Sequence, residues 1–338
     1  MIVCPEVQNC ITIAGGGLAG LSLGIALRLR GVEVEIHEAL TYPRHRVCGE
    51  FLSGVESPTL ARLGIDECLS DAEKLESAIW SDTSGELGTL KVRGLGMSRW
   101  RLDDRLQQKF RDLGGKLVTQ SRIPAAEGVV WCAGRPRRES HWIGLKCHAR
   151  ALDLSADLEM FTGTNGYMGL AKIEDGLVNI CGLFRRSETR GVKGPALLLA
   201  TLRSGGLNTL ADRLKSADLD ESSFCGVAGF QTGRQRGPGF SIGDAANMIP
   251  PFTGNGMSMA FQSAECALEP ALDYASGKKN WSDAAKTCAR AQSRRFRKRM
   301  AASSAMHWIL TTRPGHRVVT TLARHSRIPF ETLLHTVR

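Results

Sequence analysis

A short β-branched run, Ile11-Thr12-Ile13, enters a glycine turn, and an apolar stretch from Leu21 to Leu27 leaves it. Gly15, Gly17 and Gly20 give the turn a G-x-G-x-x-G spacing. At such a junction the first glycine permits the tight turn and the second lets backbone approach a pyrophosphate. The third lets helix and strand pack closely. Unpaired N–H groups at the positive end of the helix attract the anion. Val32 to Glu38 then reads as a second strand, and Glu38 stands eighteen residues after Gly20, where an acid accepts ribose hydroxyls. Strand, turn, helix, strand and terminal acid together predict a dinucleotide site at the head of a parallel sheet.

The chain has 338 residues, enough for about two domains. No apolar run approaches the ~18 residues that cross a bilayer. The start of the sequence lacks the basic-then-apolar pattern of a signal peptide. Ten cysteines are scattered without a C-x-x-C pair, which argues against a zinc or iron–sulfur site and leads us to expect no metal. Buried thiols in a reducing cytoplasm fit that usage. Charge is uneven: residues 281–338 hold 12 Lys/Arg against 2 Asp/Glu, leaving 32 of each in the first 280. The net +10 therefore belongs to the tail.

Residues 75–96 alternate apolar and polar around Gly85 and Gly88, predicting a hairpin. Helices are expected at 59–64, 65–69, 105–113 and 195–204, and strands at 116–119, 128–134, several places between 142 and 184, 224–230 and 239–244. From Gly256 onward the pattern is helical, interrupted near Gly277 and at Pro314 and Pro329.

The segment from Gly243-Asp244 through Pro250-Pro251-Phe252-Thr253-Gly254-Asn255-Gly256-Met257 decides which dinucleotide. It resembles the GD motif and P-x-x-G-x-G turn of FAD-dependent oxidoreductases of the p-hydroxybenzoate hydroxylase type. Arg46-Val47-Cys48-Gly49-Glu50 is similar to the basic-x-Cys-Gly-Glu segment of the geranylgeranyl reductase-like branch, and Arg99 to Asp103 to its R-x-x-x-D helix start. The resemblance is strongest over 10–54, 97–134 and 235–275. It implies an α/β fold with a Rossmann-like FAD domain, an antiparallel sheet domain for substrate, and C-terminal helices. The FAD domain is expected from 1–74, 97–140 and 233–280, the substrate domain from 75–96 and 141–232, and a basic helical region from 281–338.

By the same resemblance, non-covalent FAD is held by Gly15, Gly17, Leu18, Ala19, Gly20, Glu38, Arg46, Cys48, Gly49, Arg99, Gly243, Asp244, Pro251, Gly254, Asn255, Gly256 and Met257. Three departures matter, one being that Gly166 to Lys172 lacks the aromatic–x–aromatic–Pro pattern of lipid reductases and halogenases. Ala133-Gly134 replaces the Asp-Gly pair associated with pyridine nucleotide use, so NAD(P)H or a separate reductase is left open as electron source. The stretch from Thr119 to Val129 is too short for the usual β-meander.

Cys48 is the candidate for a chemical role beside the flavin, its thiol activated if Arg44, His45 and Arg46 converge on it. Glu50 reads as an acid or, more simply, as the ion-pair partner of Arg46. Lys146 and His148 alternate on one strand face and are candidates for the substrate pocket with Glu50, Tyr167 and Met168. The expected reaction is reduction or dehydrogenation of a carbon–carbon bond by hydride transfer at flavin N5, on a small or lipid-like substrate. The alternatives are a monooxygenase using a C4a-hydroperoxide, and an electron-carrying protein that serves a partner. The basic tail, with Trp308-Ile309-Leu310, Val318-Val319 and Leu322, suggests an anionic membrane, carrier-protein or reductase contact. Nucleic acid is disfavoured, because aromatic residues hardly interleave the charges.

Overall fold

The computed structural model describes residues 9–135, 139–186, 191–230, 232–235, 237–312 and 315. The residues expected to form the end of the tail, including Pro314, Val318, Val319, Leu322 and Pro329, lie outside them. The chain runs β1 (Ile11–Ala14), α1 (Leu18–Arg28), β2 (Val34–Glu38), β3 (Phe51–Ser53), α2 (Ser57–Leu63), β4 (Glu73–Asp82) and β5 (Gly85–Gly96). It continues with α3 (Arg99–Asp112), β6 (Lys116–Thr119), β7 (Val129–Trp131), β8 (Trp142–Arg150), β9 (Leu158–Gly163), β10 (Gly166–Lys172) and β11 (Val178–Arg185). Next come α4 (Pro195–Ser204), α5 (Asn208–Lys215), β12 (Asp218–Ala228), α6 (Gly256–Ala275) and α7 (Trp281–Thr311).

Four parallel strands form one sheet in the order β6-β2-β1-β7. This is the order of a mononucleotide-binding half with its crevice at the strands' carboxyl ends. Ser241 extends the sheet by one parallel bridge to Trp131, so the strand expected at 239–244 shrinks to a single pairing before Gly243. Helix α1 is buried from Leu18 to Leu27, because β1, β2, α2, α3 and α6 surround it. An apolar helix of this kind has no polar face to show solvent. No strand forms between Thr119 and Val129, as the shortness of that stretch implied.

The second sheet has eight strands in the order β12-β8-β11-β10-β9-β4-β5-β3. It departs from the expected antiparallel sheet at one seam, where β4 pairs β9 in parallel. The reason is connectivity. β4 and β9 belong to separate excursions from the first domain, with α3, β6 and β7 between them, so no hairpin fixes their relative direction. β3 also joins this sheet, against β5, although it lies in the segment assigned to the FAD domain. Alternation along β8 sends Leu145, Cys147 and Ala149 into a core with α4 and α5. Lys146 and His148 go to the opposite face, toward the first domain.

Helix α7 spans 31 residues and packs on α6. Arg295 pairs with Glu265 at 2.6 Å, and the buried Arg299 donates to Gln262 Oε1 at 2.6 Å. Part of the basic tail is therefore internal docking rather than free charge.

Candidate functional site

The glycine turn is built by close approaches that only glycine allows. Gly15 has φ 111°, and a Cβ there would lie 2.3 Å from the Cys132 carbonyl oxygen. A Cβ at Gly20 would lie 2.0 Å from the Gly15 oxygen. Gly17 differs, because a Cβ there meets nothing within 4 Å. Two of the three glycines serve the fold, and the third leaves open space in front of α1. Gly17 caps α1 with extended backbone and no side-chain hydrogen bond, and the first turn carries no acid. Its N–H groups face the cavity unpaired by any side chain.

Glu38 ends β2 beside this turn. Its Oε2 accepts from Gly16 N at 2.9 Å, and its Oε1 accepts from Arg44 at 2.9 Å and Leu40 N at 3.1 Å. Tyr42 donates its hydroxyl to the Gly16 carbonyl. The acid is thus fixed to the loop whose ligand it was expected to share.

The second motif arrives from the other side. Gly254 adopts φ 65°, Asn255 is buried, and α6 begins at Gly256, again without a side-chain cap. A Cβ at Gly256 would meet nothing within 4 Å. Ser258 donates to the Ser53 carbonyl and Gln262 to that of Gly54 at 2.9 Å, tying this helix start to β3. Both uncapped helix starts open onto one cavity of about 1290 Å³. Ligand pockets for single small molecules hold roughly 300–1,000 Å³. This one has room for a dinucleotide and a second compound.

Every residue expected to hold FAD lines the cavity except Gly20, whose place is under the Gly15 carbonyl. Arg99 bonds the buried Asp103 at 2.7 and 2.9 Å, and Arg46 reaches the same carboxylate at 2.9 Å. Burial opposes the charge of Arg99, but the Asp103 carboxylate outweighs it and holds the guanidinium more basic than usual. Burial pushes the Asp244 carboxyl up, against the pull of Arg99 and Arg135. The donor set suits FAD: uncapped helix ends and guanidiniums for a pyrophosphate, Glu38 for a ribose, Asp244 for a ribitol chain.

Three expectations need correction. The cations near Cys48 in sequence do not converge on it. Arg44 goes to Glu38, Arg46 to Asp103, and His45 to Lys146. Burial pushes the Cys48 thiol up, against the pull of Arg99 and of the Glu50 N–H. Glu50 does not anchor Arg46; its carboxylate takes His148 Nε2 at 2.6 Å, Lys146 Nζ at 3.4 Å and Arg99 N at 2.9 Å. Lastly, Glu50, Lys146 and His148 do not line the cavity, whereas Tyr167 and Met168 do. The acid and its two partners lie buried behind Cys48 and Gly49.

The far half of the cavity is apolar. Trp80, Val92, Met160 and Tyr167 form its sheet wall, and Phe252 packs edge-on against Tyr167 at 5.1 Å, while the Met168 side chain turns into the core with α4 and α5. Ala302, Ala305, Met306 and Ile309 of α7 close it. These four positions have i, i+3, i+4, i+7 spacing, a helical stripe that was legible in the sequence but masked by the tail's charge. Ile309 and Leu310 face the cavity, while Trp308 is 60% exposed.

No protein-family model matches the chain. It is 27% identical over 218 residues to an aurachin C monooxygenase/isomerase of Stigmatella aurantiaca. That match covers 58% of this chain and 54% of the relative, so the chain spans about half of that relative's length. Among solved structures, a probable FAD-dependent monooxygenase of Pseudomonas aeruginosa superposes with TM-score 0.70 at 14% identity, covering 92% of this chain and 98% of that one. A geranylgeranyl bacteriochlorophyll reductase-like protein of Thermoplasma acidophilum superposes with TM-score 0.74 at 16% identity, covering 97% and 95%. The chain has the fold of FAD-dependent monooxygenases and of the reductase-like branch, as the motifs implied.

Two outcomes test this site. Gly17→Ala should leave the thermal midpoint within about 2 °C yet weaken FAD binding about tenfold or more. Gly20→Ala should instead destabilise the fold by about 1–3 kcal/mol or more. Calorimetry and flavin-fluorescence titration separate them; equal effects of the two substitutions would contradict the assignment. The second concerns His45, whose pKa burial and Lys146 depress from 6.5 to about 4. The unfolded chain binds that proton first, so stability present above about pH 6.5 is lost as pH falls toward 4. His45→Asn should flatten the fall in thermal midpoint over that window, and an unchanged slope would remove His45 from the balance.

Proposed function

We propose that this chain is an FAD-dependent monooxygenase acting on an apolar, small or lipid-like molecule. The likeness to an aurachin C monooxygenase/isomerase supports oxygen insertion over the carbon–carbon reduction that the sequence alone favoured. The observation that carries the reading is the cavity itself. A polar half suited to FAD continues directly into an apolar chamber closed by α7.

FAD, when bound, supplies the redox chemistry and the activation of oxygen. The chain's own residues bind, orient and exclude water. Backbone N–H groups at the starts of α1 and α6 hold negative charge. Arg99 and Arg46, fixed by Asp103, add positive charge to the same wall. The chamber of Trp80, Met160 and Tyr167 receives an apolar substrate by shape and burial. The α7 stripe lays apolar side chains along the chamber and would limit the approach of water to a substrate held there. Electrons come from a transiently bound NAD(P)H or from a separate reductase.

A partner surface follows from the outer face of α7. Arg290, Arg294, Arg297 and Lys298 are exposed there at helical spacing, and Trp308 ends the same stripe beside the chamber. This arrangement supports docking on an anionic lipid surface, where cations meet headgroups and an indole sits at the interface. No described helix is long and apolar enough to cross a membrane.

Heat-treated protein should release FAD. Under isotopically heavy oxygen gas, with NADPH and a panel of apolar aromatic and isoprenoid compounds, one heavy oxygen atom should enter a product. A product changed by two hydrogens and no oxygen would favour the reductase reading instead. Vesicles rich in phosphatidylglycerol should co-sediment the protein, and neutral vesicles should not. Arg294→Glu with Arg297→Glu should abolish co-sedimentation, and binding indifferent to lipid charge would rule the surface out.

A further inference from the structure

Position 50 is an unusual place for an acid. Its backbone is left-handed, with φ 51°, a conformation in which glycine or asparagine is the low-cost choice. Strain of this kind persists only where the surroundings fix it. The side chain is fully buried and does not reach the cavity. The carboxylate must therefore be what the position requires.

Its three donors come from two different parts of the fold. Arg99 N, at the first position of α3, donates at 2.9 Å. His148 Nε2 at 2.6 Å and Lys146 Nζ at 3.4 Å come from β8 in the second sheet. Asn179, the register partner of His148 on β11, donates to the Cys48 carbonyl at 3.1 Å. Glu50 N in turn approaches Cys48 Sγ at 3.4 Å. Lys146 also meets His45 Nδ1 at 3.1 Å, and His45 stacks on Trp100. The polar residues of β8 and β11 thus gather under one loop, while alternate residues of β8 are apolar and serve the core with α4 and α5.

The elements tied together are those that face the cofactor half of the cavity. Gly49 and Cys48 directly precede Glu50, and Arg99 carries the hydrogen bond to it; all three line the cavity. We propose that Glu50 is a positioning residue: held by Lys146 and His148, it sets the Cys48–Gly49 backbone and Arg99 against bound FAD. This rests on the reading of the cavity as an FAD site. Lys146 makes the role one of charge as well as shape. Glutamine in place of Glu50 could still accept from Arg99 N and His148, but it would leave a buried ammonium without its carboxylate.

The test compares Glu50→Gln with the double variant Glu50→Gln, Lys146→Met, in which no buried charge is stranded. In both, FAD dissociation constants should rise about tenfold. The bound flavin's absorption bands should shift, and its two-electron reduction equilibrium should change several-fold, even where the double variant regains the wild-type thermal midpoint. A merely structural role would move the midpoint and leave the spectrum and potential of FAD-loaded molecules alone; that result overturns the proposal. Hydrogen exchange on the unmodified protein gives an independent arm. FAD should slow exchange at Gly49, Glu50 and Arg99 together, and absence of protection there also overturns it. Unmodified protein that takes up no FAD would refute the functional reading first, and this inference with it.

Discussion

Helices α1 and α6 both start without a side-chain cap, and both start on the same cavity. Helices α2, α4 and α5 also start without one, away from the cavity, whereas α3 and α7 are capped. Ser98 accepts from Arg101 N at the head of α3, and Asn280 from Asp283 N at the head of α7. Forgoing a side-chain cap costs up to about 1 kcal/mol per helix, and only a few tenths where glycine stands there, as at Gly17. At α1 and α6 that cost leaves N–H groups and two positive helix ends directed at a shared space. Much of the rest follows from keeping those ends open. Gly15 and Gly20 bring α1 hard against the parallel sheet, and the bonds from α6 to Ser53 and Gly54 hold the second helix at the matching distance.

This part of the molecule was legible in the sequence because it is local. A glycine spacing, a proline-glycine turn and an acid at a strand end each act within a few residues, and the cavity collects nearly all of them. The helix at 195–204 and the hairpin at 75–96 were readable for the same reason, from period and turn residues. What was hidden is non-local. Arg46 and Glu50 are four residues apart and invite pairing. Yet the left-handed turn at Glu50 directs its carboxylate to β8, and Arg46 finds Asp103 on α3. The parallel seam between β4 and β9 joins excursions of the chain that no short-range signal relates.

Charge counting misled in an instructive way. A net +10 confined to the last 58 residues suggests a tail with one purpose, whereas α7 divides its residues among three. Arg295 and Arg299 dock the helix on α6, and the stripe from Ala302 to Ile309 closes the apolar chamber. Arg290, Arg294, Arg297 and Lys298 remain for solvent or a partner. Periodicity separates these uses where composition merges them. An exposed indole at Trp308, next in sequence to the chamber residue Ile309, places the outer and inner faces within one helical turn.

The same division of polarity orients what the cavity takes in. On one side stand Arg44, Arg46 and Arg99 against the carboxylates of Glu38 and Asp103, so guanidiniums outnumber the acids they bond. The helix ends add to that excess. On the other side, aromatic and aliphatic side chains offer little to a charge. A dinucleotide with a charged middle would find its phosphates favoured beside α1 and this positive wall. Cys48 sits near that boundary with its thiol pushed toward the neutral form by burial. Arg99 reaches both this thiol and the Asp103 carboxylate, and a neutral thiol leaves the wall its positive charge. The electrostatics of the site thus depend on the pairing of Arg99 with Asp103, and Glu50 fixes that arginine's backbone from behind.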